Sequence, residues 1–261
     1  MTYGRPSMTT HLETIPLPGM LDLETRQDTE GPSLVSFYIS TIELYSILDR
    51  ILSDVYKAWR GRTKEPTQEL KQPGPGLDLV IQIEDQLLRY QVGVPPHLNW
   101  STSYALRSEF SNHSTIQRQR NVLHLRHILL YRPIFTQLCF GQQPDELLYT
   151  NPDSLHSFML LKCASGCIQA AINLISLVHK THKTSTADTW WYNGFYTSTA
   201  AMVLIMSYKC RVLRDLKDTD IDLTWQKAEA ILQDMVSFSK SARNTLGFLQ
   251  TIRTQCKPST K

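Results

Sequence analysis

The stretch Leu123–Phe135, with the sequence LHLRHILLYRPIF, decides the fold of this chain. Its apolar residues recur at helical spacing and cover most of the circumference, which is the pattern of a helix buried on several sides. Ser114 and Gln117 have the spacing of a capping box, in which each side chain satisfies a backbone donor at the helix start. The helix is therefore predicted to begin near Ile116.

Pro133 and Arg126 are the two residues of this stretch that a buried helix has to accommodate. Pro133 has no backbone N–H and its ring clashes with the preceding turn, which predicts a kink or an end near Arg132. Arg126 falls inside the apolar arc. A buried guanidinium needs a carboxylate or a carbonyl as its partner, because an unpaired buried charge is very costly.

Length and composition predict a globular protein. The 261 residues, 41% of them hydrophobic, suffice for one sizeable core or two smaller lobes. The net charge of +3 comes from 27 basic and 24 acidic residues without a dense Lys/Arg block, so composition does not predict nucleic-acid binding. Five cysteines, an odd number without a regular framework, are typical of a reducing compartment with free thiols.

The sequence pattern predicts neither a membrane span nor a secretory signal. The apolar run Thr199–Met206 is far shorter than the roughly 20 residues that cross a bilayer. The segment Met1–Met20 is polar and contains prolines, unlike the apolar centre of a signal peptide. No membrane partner is therefore expected.

Apolar periodicity predicts an all-α fold, a bundle of about six main helices. Residues 1–33 carry little periodicity and are predicted to form an irregular, extended lead-in and loop. The predicted helices are Leu34–Gly61, Leu79–Val92, Ile116–Arg132, a helix capped by Asn151 with Pro152 at its first position that runs to Val178, Trp191–Tyr208 and Thr224–Ile252. The helical domain is expected to span residues 34–256, with a tail at 257–261.

One acidic segment imitates the ligand spacing of a calcium loop. Asp218, Asp220 and Asp222 alternate, and Glu229 follows eleven positions after Asp218. The sixth position is Leu223, however, where such a loop needs glycine for its sharp turn. The segment is therefore interpreted as an acidic loop that favours the N-terminus of the next helix.

Histidine and cysteine pairs are the other candidates for a metal site. Two histidine pairs have a spacing that presents two imidazoles on one helical face: His124 with His127, and His179 with His182. Neither pair has a nearby cysteine or carboxylate that completes a zinc ligand set. Cys163 and Cys167 lie four residues apart among small side chains and are interpreted as packing residues. The sequence therefore predicts no metal ligands and no bound cofactor.

Catalytic signatures are absent from the sequence. It has no Gly-rich phosphate loop and no Gly-x-Ser-x-Gly elbow, so no catalytic residue is predicted and the chain is not expected to be an enzyme. One aromatic group is compatible with the lining of a small-molecule pocket or with core packing and helix-end anchoring: Trp190, Trp191, Tyr192, Phe195 and Tyr196. Both interpretations stay open at this point.

A series of short motifs, in order along nearly the whole chain, resembles one known family. The motifs are Gly4-Arg5-Pro6, Ile15-Pro16-Leu17-Pro18, Ser36-Phe37 through Leu44, Ile47-Leu48-Asp49-Arg50-Ile51-Leu52, Val55-Tyr56, Leu123–Pro133 with its ending Leu130, Arg132 and Pro133, then Cys167, Ala170, Ala171, Trp191 and Ser241-Ala242-Arg243. Their order is similar to that of the fungal-specific transcription factor domain, the helical middle region of binuclear zinc-cluster regulators. The resemblance begins at the midpoint of that region, and the six-cysteine zinc cluster of the family is absent from these residues.

The resemblance implies a regulatory module of a fungal transcription factor that controls RNA polymerase II transcription in the nucleus. It implies a truncated form that does not bind DNA by itself, with zinc and DNA contact confined to a zinc-cluster domain outside these residues. The implied partners are the transcription machinery or co-regulators, a small-molecule inducer and further copies of the chain. Arg126 and Arg132 are then structural residues of the bundle. The alternative is a stand-alone helical protein that binds a small molecule or a protein partner.

Overall fold

A computed structural model describes residues 34–56, 76–99, 116–117, 119–122, 124–140, 154–184, 190–210 and 218–257. These residues form helices with short connections and no strand, which confirms the predicted all-α bundle. The chain divides into two compact units, Met1–Val122 and Leu123–Lys261. The predicted lead-in at 1–33 and the capping residue Ser114 lie outside the described residues, and the predicted domain limits stay a prediction.

The first unit is built on two packed helices, α1 and α2. Helix α1 spans Leu34–Arg50 and continues as a π-helical segment, Ile51–Val55, while α2 spans Leu77–Gly93 and precedes a 3₁₀ turn at Pro96–Leu98. Leu44, Ile83 and Leu87 are buried in this unit. The hydroxyls of Ser40 and Tyr90 form a buried hydrogen bond of 2.9 Å that joins α1 to α2. The sequence predicted both helices. Helix α2 extends two residues further at its N-terminus and one residue further at its C-terminus than the prediction.

The second unit is a bundle around one long central helix. In chain order it contains the π-helical segment His124–Leu129, α3 Leu130–Phe140, α4 Leu155–Thr181, α5 Trp190–Ser207, α6 Asp218–Met235 and α7 Lys240–Cys256. Helix α4 packs against the π-helical segment, α3, α5 and α6, and α7 packs against α5 and α6. Ala164, Cys167, Ala170 and Ala171 are buried on α4, so small side chains let the neighbouring helices come close.

Helix α4 is long and apolar enough to cross a membrane by length and composition. Most of its apolar residues from Cys163 to Val178, however, are buried against the helices that surround it, while Leu155 and Phe158 near its N-terminus are exposed. A polar stripe faces outward on the same helix, formed by Lys162, Gln169, Asn173 and Lys180. This pattern is that of the core helix of a bundle.

Pro133 does not end its helix, so the prediction of a kink or an end near Arg132 is wrong in its position. The irregularity lies upstream, in the π-helical segment His124–Leu129, and the α-helix runs from Leu130 through Pro133 to Phe140. The π-helical segment runs without a break into this α-helix, so Pro133 lies inside a continuous helix. The irregular backbone directly upstream is where the helix accommodates the ring and the missing N–H of the proline.

Two capping serines place helix starts that the sequence interpretation put elsewhere. The hydroxyl oxygen of Ser154 accepts from the backbone N–H of Ser157 at 3.1 Å, so α4 begins at Leu155. The predicted cap Asn151 and Pro152 lie outside the described residues. The hydroxyl oxygen of Ser239 accepts from the backbone N–H of Ala242 at 3.2 Å, which starts α7.

The predicted single helix Thr224–Ile252 is therefore two helices, α6 and α7, separated at Ser239. Helix α6 also begins at Asp218, six residues earlier than expected. Aspartates in the first turn stabilise a helix N-terminus through the helix dipole, and this local effect extends the helix into the segment interpreted as a loop.

Candidate functional site

Five side chains of the second unit have a buried polar atom without a hydrogen-bond partner among the described residues: Trp225 and Arg253 beside Asp222, and three others that are discussed first. These three are His124, Asn193 and Thr197, called here the α5 polar group, and the atoms are Nε2, Oδ1 and Oγ1. The exposed fractions are 7%, 1% and 0%. A buried polar atom that makes no hydrogen bond costs about 1–3 kcal/mol, so native proteins leave few of them unsatisfied.

Two of the three side chains lie on α5, and the third contacts that helix through other residues. Asn193 and Thr197 are four residues apart on that helix and therefore share a face, about 6 Å apart along its axis. His124 comes from the π-helical segment and contacts α5 through two aromatic rings. Its ring centroid lies 5.3 Å from those of Phe195 and Tyr196, in edge-to-face geometry.

Thr197 differs from six of the helical threonines that the structure describes. These six donate a hydrogen bond to the carbonyl oxygen four residues earlier: Thr41, Thr181, Thr199, Thr224, Thr251 and Thr254. The adjacent Ser198 does the same to Gly194 at 2.6 Å. This local bond is the usual way in which a hydroxyl is satisfied inside a helix. The hydroxyl of Thr197 is buried and does not use it.

His124 is neutral at physiological pH. Burial, and then the positive charge of Arg132, lower the pKa of His124 from 6.5 to about 4. A neutral imidazole presents one donor and one acceptor nitrogen, so Nε2 takes either role according to the tautomer. Arg132, an arginine of the family-like motif, is half-buried and lies close enough for its charge to act on this site.

Aromatic rings lead from the surface to the α5 polar group. Trp191 is exposed and stacks on Tyr192 with ring centroids 3.7 Å apart, and Tyr192 lies 6.2 Å from the buried Tyr196 in a nearly parallel orientation. Tyr196 in turn contacts His124. The side chain of Trp190 lies outside the described residues. Four of the five aromatic residues singled out from the sequence thus belong to one series of rings or its direct neighbours.

A second polar cluster, the Asp222 cluster, joins the C-terminal helices. Oδ1 of Asp222 accepts hydrogen bonds from the hydroxyl of Tyr208 at 2.8 Å and from Arg253 at 2.7 Å, and Oδ2 accepts from Lys257 at 2.7 Å. Burial alone would raise the pKa of Asp222, but the bonds from Lys257, Tyr208 and Arg253 outweigh it and lower that pKa to about 2. The guanidinium of Arg253 also lies 4.9 Å from the ring centre of Trp225.

The Asp222 cluster bears directly on the calcium-like spacing. Residues Asp218–Met235 form a continuous helix, whereas a calcium site needs a loop of about 12 residues that wraps the ion. The carboxylate of Asp222 is already surrounded by the protein's own donors. The interpretation of this segment as a loop is therefore wrong, and that it binds no cation stays a prediction.

The remaining histidine and cysteine candidates are His179, His182, Cys163 and Cys167, since the side chain of His127 lies outside the described residues. Nδ1 of His182 lies 2.9 Å from the carbonyl oxygen of His179, and Nε2 lies 3.0 Å from Oδ2 of Asp234. Cys163 and Cys167 are buried on α4, and burial raises the pKa of Cys167 to about 12, which disfavours a thiolate. Within the described ranges no three His, Cys, Asp or Glu side chains form a metal-binding group. That the whole chain holds no metal ligand stays a prediction.

The sequence of the chain is similar to those of fungal transcription factors. It is 22% identical over 215 residues to the sorbicillinoid biosynthetic cluster transcription factor sor3 of Hypocrea jecorina, a match that covers 78% of the chain and 32% of the relative. It is 27% identical over 142 residues to the sorbicillinoid biosynthetic cluster transcription factor 2 of Penicillium rubens, with 51% and 20% covered. The chain thus spans about a third or less of the length of these relatives. Neither a protein-family model nor a solved structure matches it.

Sequence reasoning found part of the α5 polar group and missed the rest. It singled out His124 and the aromatic residues around Tyr196, but it did not name Asn193 or Thr197. The available signal was two polar residues four positions apart on a mostly apolar helix, WWYNGFYTSTAAMVLIMS. Such a pair marks polar atoms carried into a core, where each needs a partner.

Proposed function

We propose that this chain is a helical regulatory module of a fungal transcription factor that controls RNA polymerase II transcription. Support comes from the ordered series of family-like motifs, from the two fungal transcription factors to which the chain is similar, and from the all-α bundle. The single observation that carries the proposal is the match to the sor3 relative along 78% of the chain. A non-catalytic role follows from this assignment.

The proposed module acts in the nucleus through co-regulators or the transcription machinery and contacts DNA only through a separate zinc-cluster domain. Its charge supports this division of roles, because a net charge of +3 over 261 residues is weak for a surface that grips phosphates. Self-association belongs to the same proposal. Tyr38, Ile42 and Tyr45 follow one exposed stripe of α1 and would contribute apolar surface to such contacts.

The test measures transcripts and chromatin association in cells that carry the gene. Deletion should change the levels of a defined set of transcripts, and the tagged native protein should be recovered with chromatin near those genes. Re-expression of the wild type should restore the transcripts. A protein found only in the cytosol, with transcript levels unchanged by the deletion, would contradict the proposal.

Two variants of α4 make this test specific for the folded bundle. Ile175 is fully buried, so Ile175→Lys should unfold the second unit and abolish rescue. Lys180 is exposed on the polar stripe of the same helix, so Lys180→Ala should rescue as well as the wild type. Equal rescue by both variants would show that the bundle is not needed for regulation.

A specific observation favours small-molecule binding as a second candidate function. The α5 polar group combines unpartnered buried polar atoms with a series of aromatic rings that reaches the surface. Ligand sites commonly combine an apolar lining with a few placed polar groups. This function is compatible with a regulatory module and also with a stand-alone binding protein.

A further inference from the structure

Four of the five cysteines of the chain belong to three elements of the second unit that pack against one another. Cys163 and Cys167 lie on the central helix α4, Cys139 is the last residue but one of α3, and Cys210 follows the end of α5. We propose that the thiols of Cys139 and Cys210 form a redox site, which a hydroperoxide oxidises to a disulfide. The inference goes beyond the proposed function and does not depend on it.

The directions of the helices bring Cys210 to the same end of the bundle as the cysteines of α4. Helices α4 and α5 pack against each other and are joined by a short stretch of chain, so they run in opposite directions. Cys163 lies roughly 20 residues before the end of α4, and Cys210 roughly 20 residues after the start of α5. At about 1.5 Å per residue, both positions are therefore about 30 Å from that connection.

Cys139 contributes the second thiol of the site from α3. Its thiol is hydrogen-bonded to the thiol of Cys210, and this bond, followed by burial, raises the pKa of Cys139. A hydrogen bond between two thiols holds the sulfur atoms next to each other, with no other side chain between them. Two cysteines can be bridged when their Cβ atoms come within about 3.5–4.5 Å, and neighbouring thiols reach this separation with little movement of the backbone.

The two cysteines of α4 are poorer partners for a disulfide. Cys163 and Cys167 lie four residues apart on one helix, where Cβ atoms are about 5–6 Å apart, wider than a disulfide allows. Cys167 acts on Cys139 through charge, whereas Cys210 is hydrogen-bonded to it. The arrangement therefore predicts one disulfide, between Cys139 and Cys210.

The thiol of Cys139 is the one that a small oxidant reaches. Cys139 is half-buried at the end of α3, and the next residue, Phe140, is exposed. Cys210 is buried, which favours a bond within the chain over a cross-link between two chains. Because the pKa of Cys139 is raised, its thiol stays protonated near neutral pH, and the reaction is slow.

The reaction consumes one hydroperoxide for each disulfide. The sulfur of Cys139 attacks the O–O bond and becomes a sulfenic acid, and hydrogen peroxide leaves as water. The sulfur of Cys210 then displaces the hydroxyl group from the sulfur of Cys139, and the S–S bond forms with loss of a second water. The two sulfur atoms give up two electrons to the O–O bond, and both thiol protons leave in the water molecules. Exchange with a thiol reductant reverses the link.

Hydrogen peroxide is the probe, applied to the purified full chain. Digestion without reductant should yield a linked pair of peptides that contain Cys139 and Cys210, with a mass lower by two hydrogen atoms than the sum of the two peptides. Dithiothreitol should separate them. Oxygen added at Cys139 without a linked pair, or a link that joins other cysteines instead, would overturn the proposal.

Cys139→Ser and Cys256→Ser are matched variants, because both cysteines are half-buried and each lies at the end of a helix. The linked pair should be lost in Cys139→Ser and should form in Cys256→Ser as in the wild type. If Cys139→Ser links Cys210 to another cysteine in the same yield, the pairing is not specific and the proposal fails. The peptide analysis of the wild type decides the question even where a variant does not fold.

Thermal melting tests whether the disulfide fits the native fold. The bond closes a loop of roughly 70 residues and so restricts the unfolded chain. The melting temperature of the oxidised wild type should be about 5–10 °C higher than that of the same sample after dithiothreitol, and Cys139→Ser should show no such difference. An equal or lower melting temperature of the oxidised wild type would overturn the proposal, because the bond would then form in a distorted chain.

These measurements separate the redox site from the proposed function. If the disulfide forms as described and deletion of the gene leaves transcripts unchanged, the site stands and the regulatory role fails. If transcripts respond and Cys139 and Cys210 do not pair, the regulatory role stands and the site fails.

Discussion

The Asp222 cluster and the α5 polar group are both sets of polar side chains on the helices of the second unit, but they differ in how far their polar atoms are hydrogen-bonded. In the Asp222 cluster both carboxylate oxygens are bonded, while Nε of Arg253 has no partner among the described residues. The carboxylate of Asp222 accepts three hydrogen bonds of 2.7–2.8 Å. In the part of the chain that the structure describes, Nε2 of His124, Oδ1 of Asn193 and Oγ1 of Thr197 accept or donate none.

The lengths of the side chains and their access to solvent explain this difference. The donors to Asp222 include Arg253 and Lys257, whose long side chains extend between helices at the edge of the bundle. Asn193 and Thr197 have short side chains and sit in the interior, where they cannot search for a partner and water is excluded. The Asp222 cluster therefore acts as a structural link between α6 and α7, whereas the α5 polar group contributes no side-chain hydrogen bond from Nε2 of His124, Oδ1 of Asn193 or Oγ1 of Thr197 among the described residues.

The largest expected effect is the acid sensitivity that His124 confers on the second unit. Its pKa in the folded protein lies below that of the unfolded chain, so the unfolded state binds the proton more tightly. The stabilisation is present above pH 6.5 and is lost as the pH falls toward about 4. The drop from 6.5 to about 4 corresponds to about 3 kcal/mol in the free energy of unfolding. Urea unfolding at a series of pH values measures it.

His124→Phe is the control for this pH dependence, because it keeps an aromatic ring beside Phe195 and Tyr196 and removes the titrating group. The variant should lose most of the decline between pH 6.5 and pH 4. If stability declines to the same extent in the variant, other groups cause the acid sensitivity. His124 would then be less buried than its exposed fraction of 7% indicates.

Removal of the carboxylate of Asp222 should have the next largest effect. Asp222→Ala deletes hydrogen bonds from two charged donors and should cost about 1.5–3 kcal/mol of unfolding free energy. The control is Asp85→Ala on α2, whose ion pair with Arg89 is exposed, so that its loss should cost about 0.5 kcal/mol or less. Chemical denaturation of both variants measures the difference. Similar small losses in the two would mean that the Asp222 cluster does not link the helices.

The smallest effect concerns the packing of α5 next to the α5 polar group. A Cβ added at Gly194 would lie 3.5 Å from the sulfur of Met235, an ordinary contact. Gly194→Ala should therefore stabilise the protein by about 0.5–1 kcal/mol through helix propensity and added contact. Gly247→Ala on α7 is the control, because its Cβ would meet nothing within 4 Å and the gain would come from propensity alone. A lower melting temperature for Gly194→Ala would show that α5 is more tightly packed here than the distance suggests.

The boundaries of a helix were predictable where the pattern of apolar residues along the sequence is clear. Helix α1 begins at Leu34 and α5 spans Trp190–Ser207, within a residue of what the apolar spacing predicts. The errors lie at Pro133, which a π-helical segment upstream accommodates, and at Ser239, whose cap divides one predicted helix into two. Both depend on backbone geometry that a pattern of apolar residues does not encode.

The candidate site was predictable only in its apolar part. The aromatic residues and His124 stand out by type, whereas Asn193 and Thr197 become notable only when their polar atoms are found buried and without partners. A sequence shows that these residues are polar. Whether each one meets a partner depends on which helices lie beside it, and that is a property of the packed bundle.

The order of residues alone determined that this protein is an all-α bundle, because helical periodicity is local and repeats every three to four residues. It also carried the family resemblance, which rests on the order of short motifs. The tertiary structure decided which polar groups are satisfied: Asp222 finds donors 14, 31 and 35 positions away, and the α5 polar group finds none among the described residues. Hydrogen bonds between helices depend on distance in space, so only the packed fold separates the polar atoms that link helices from those that are buried without a partner.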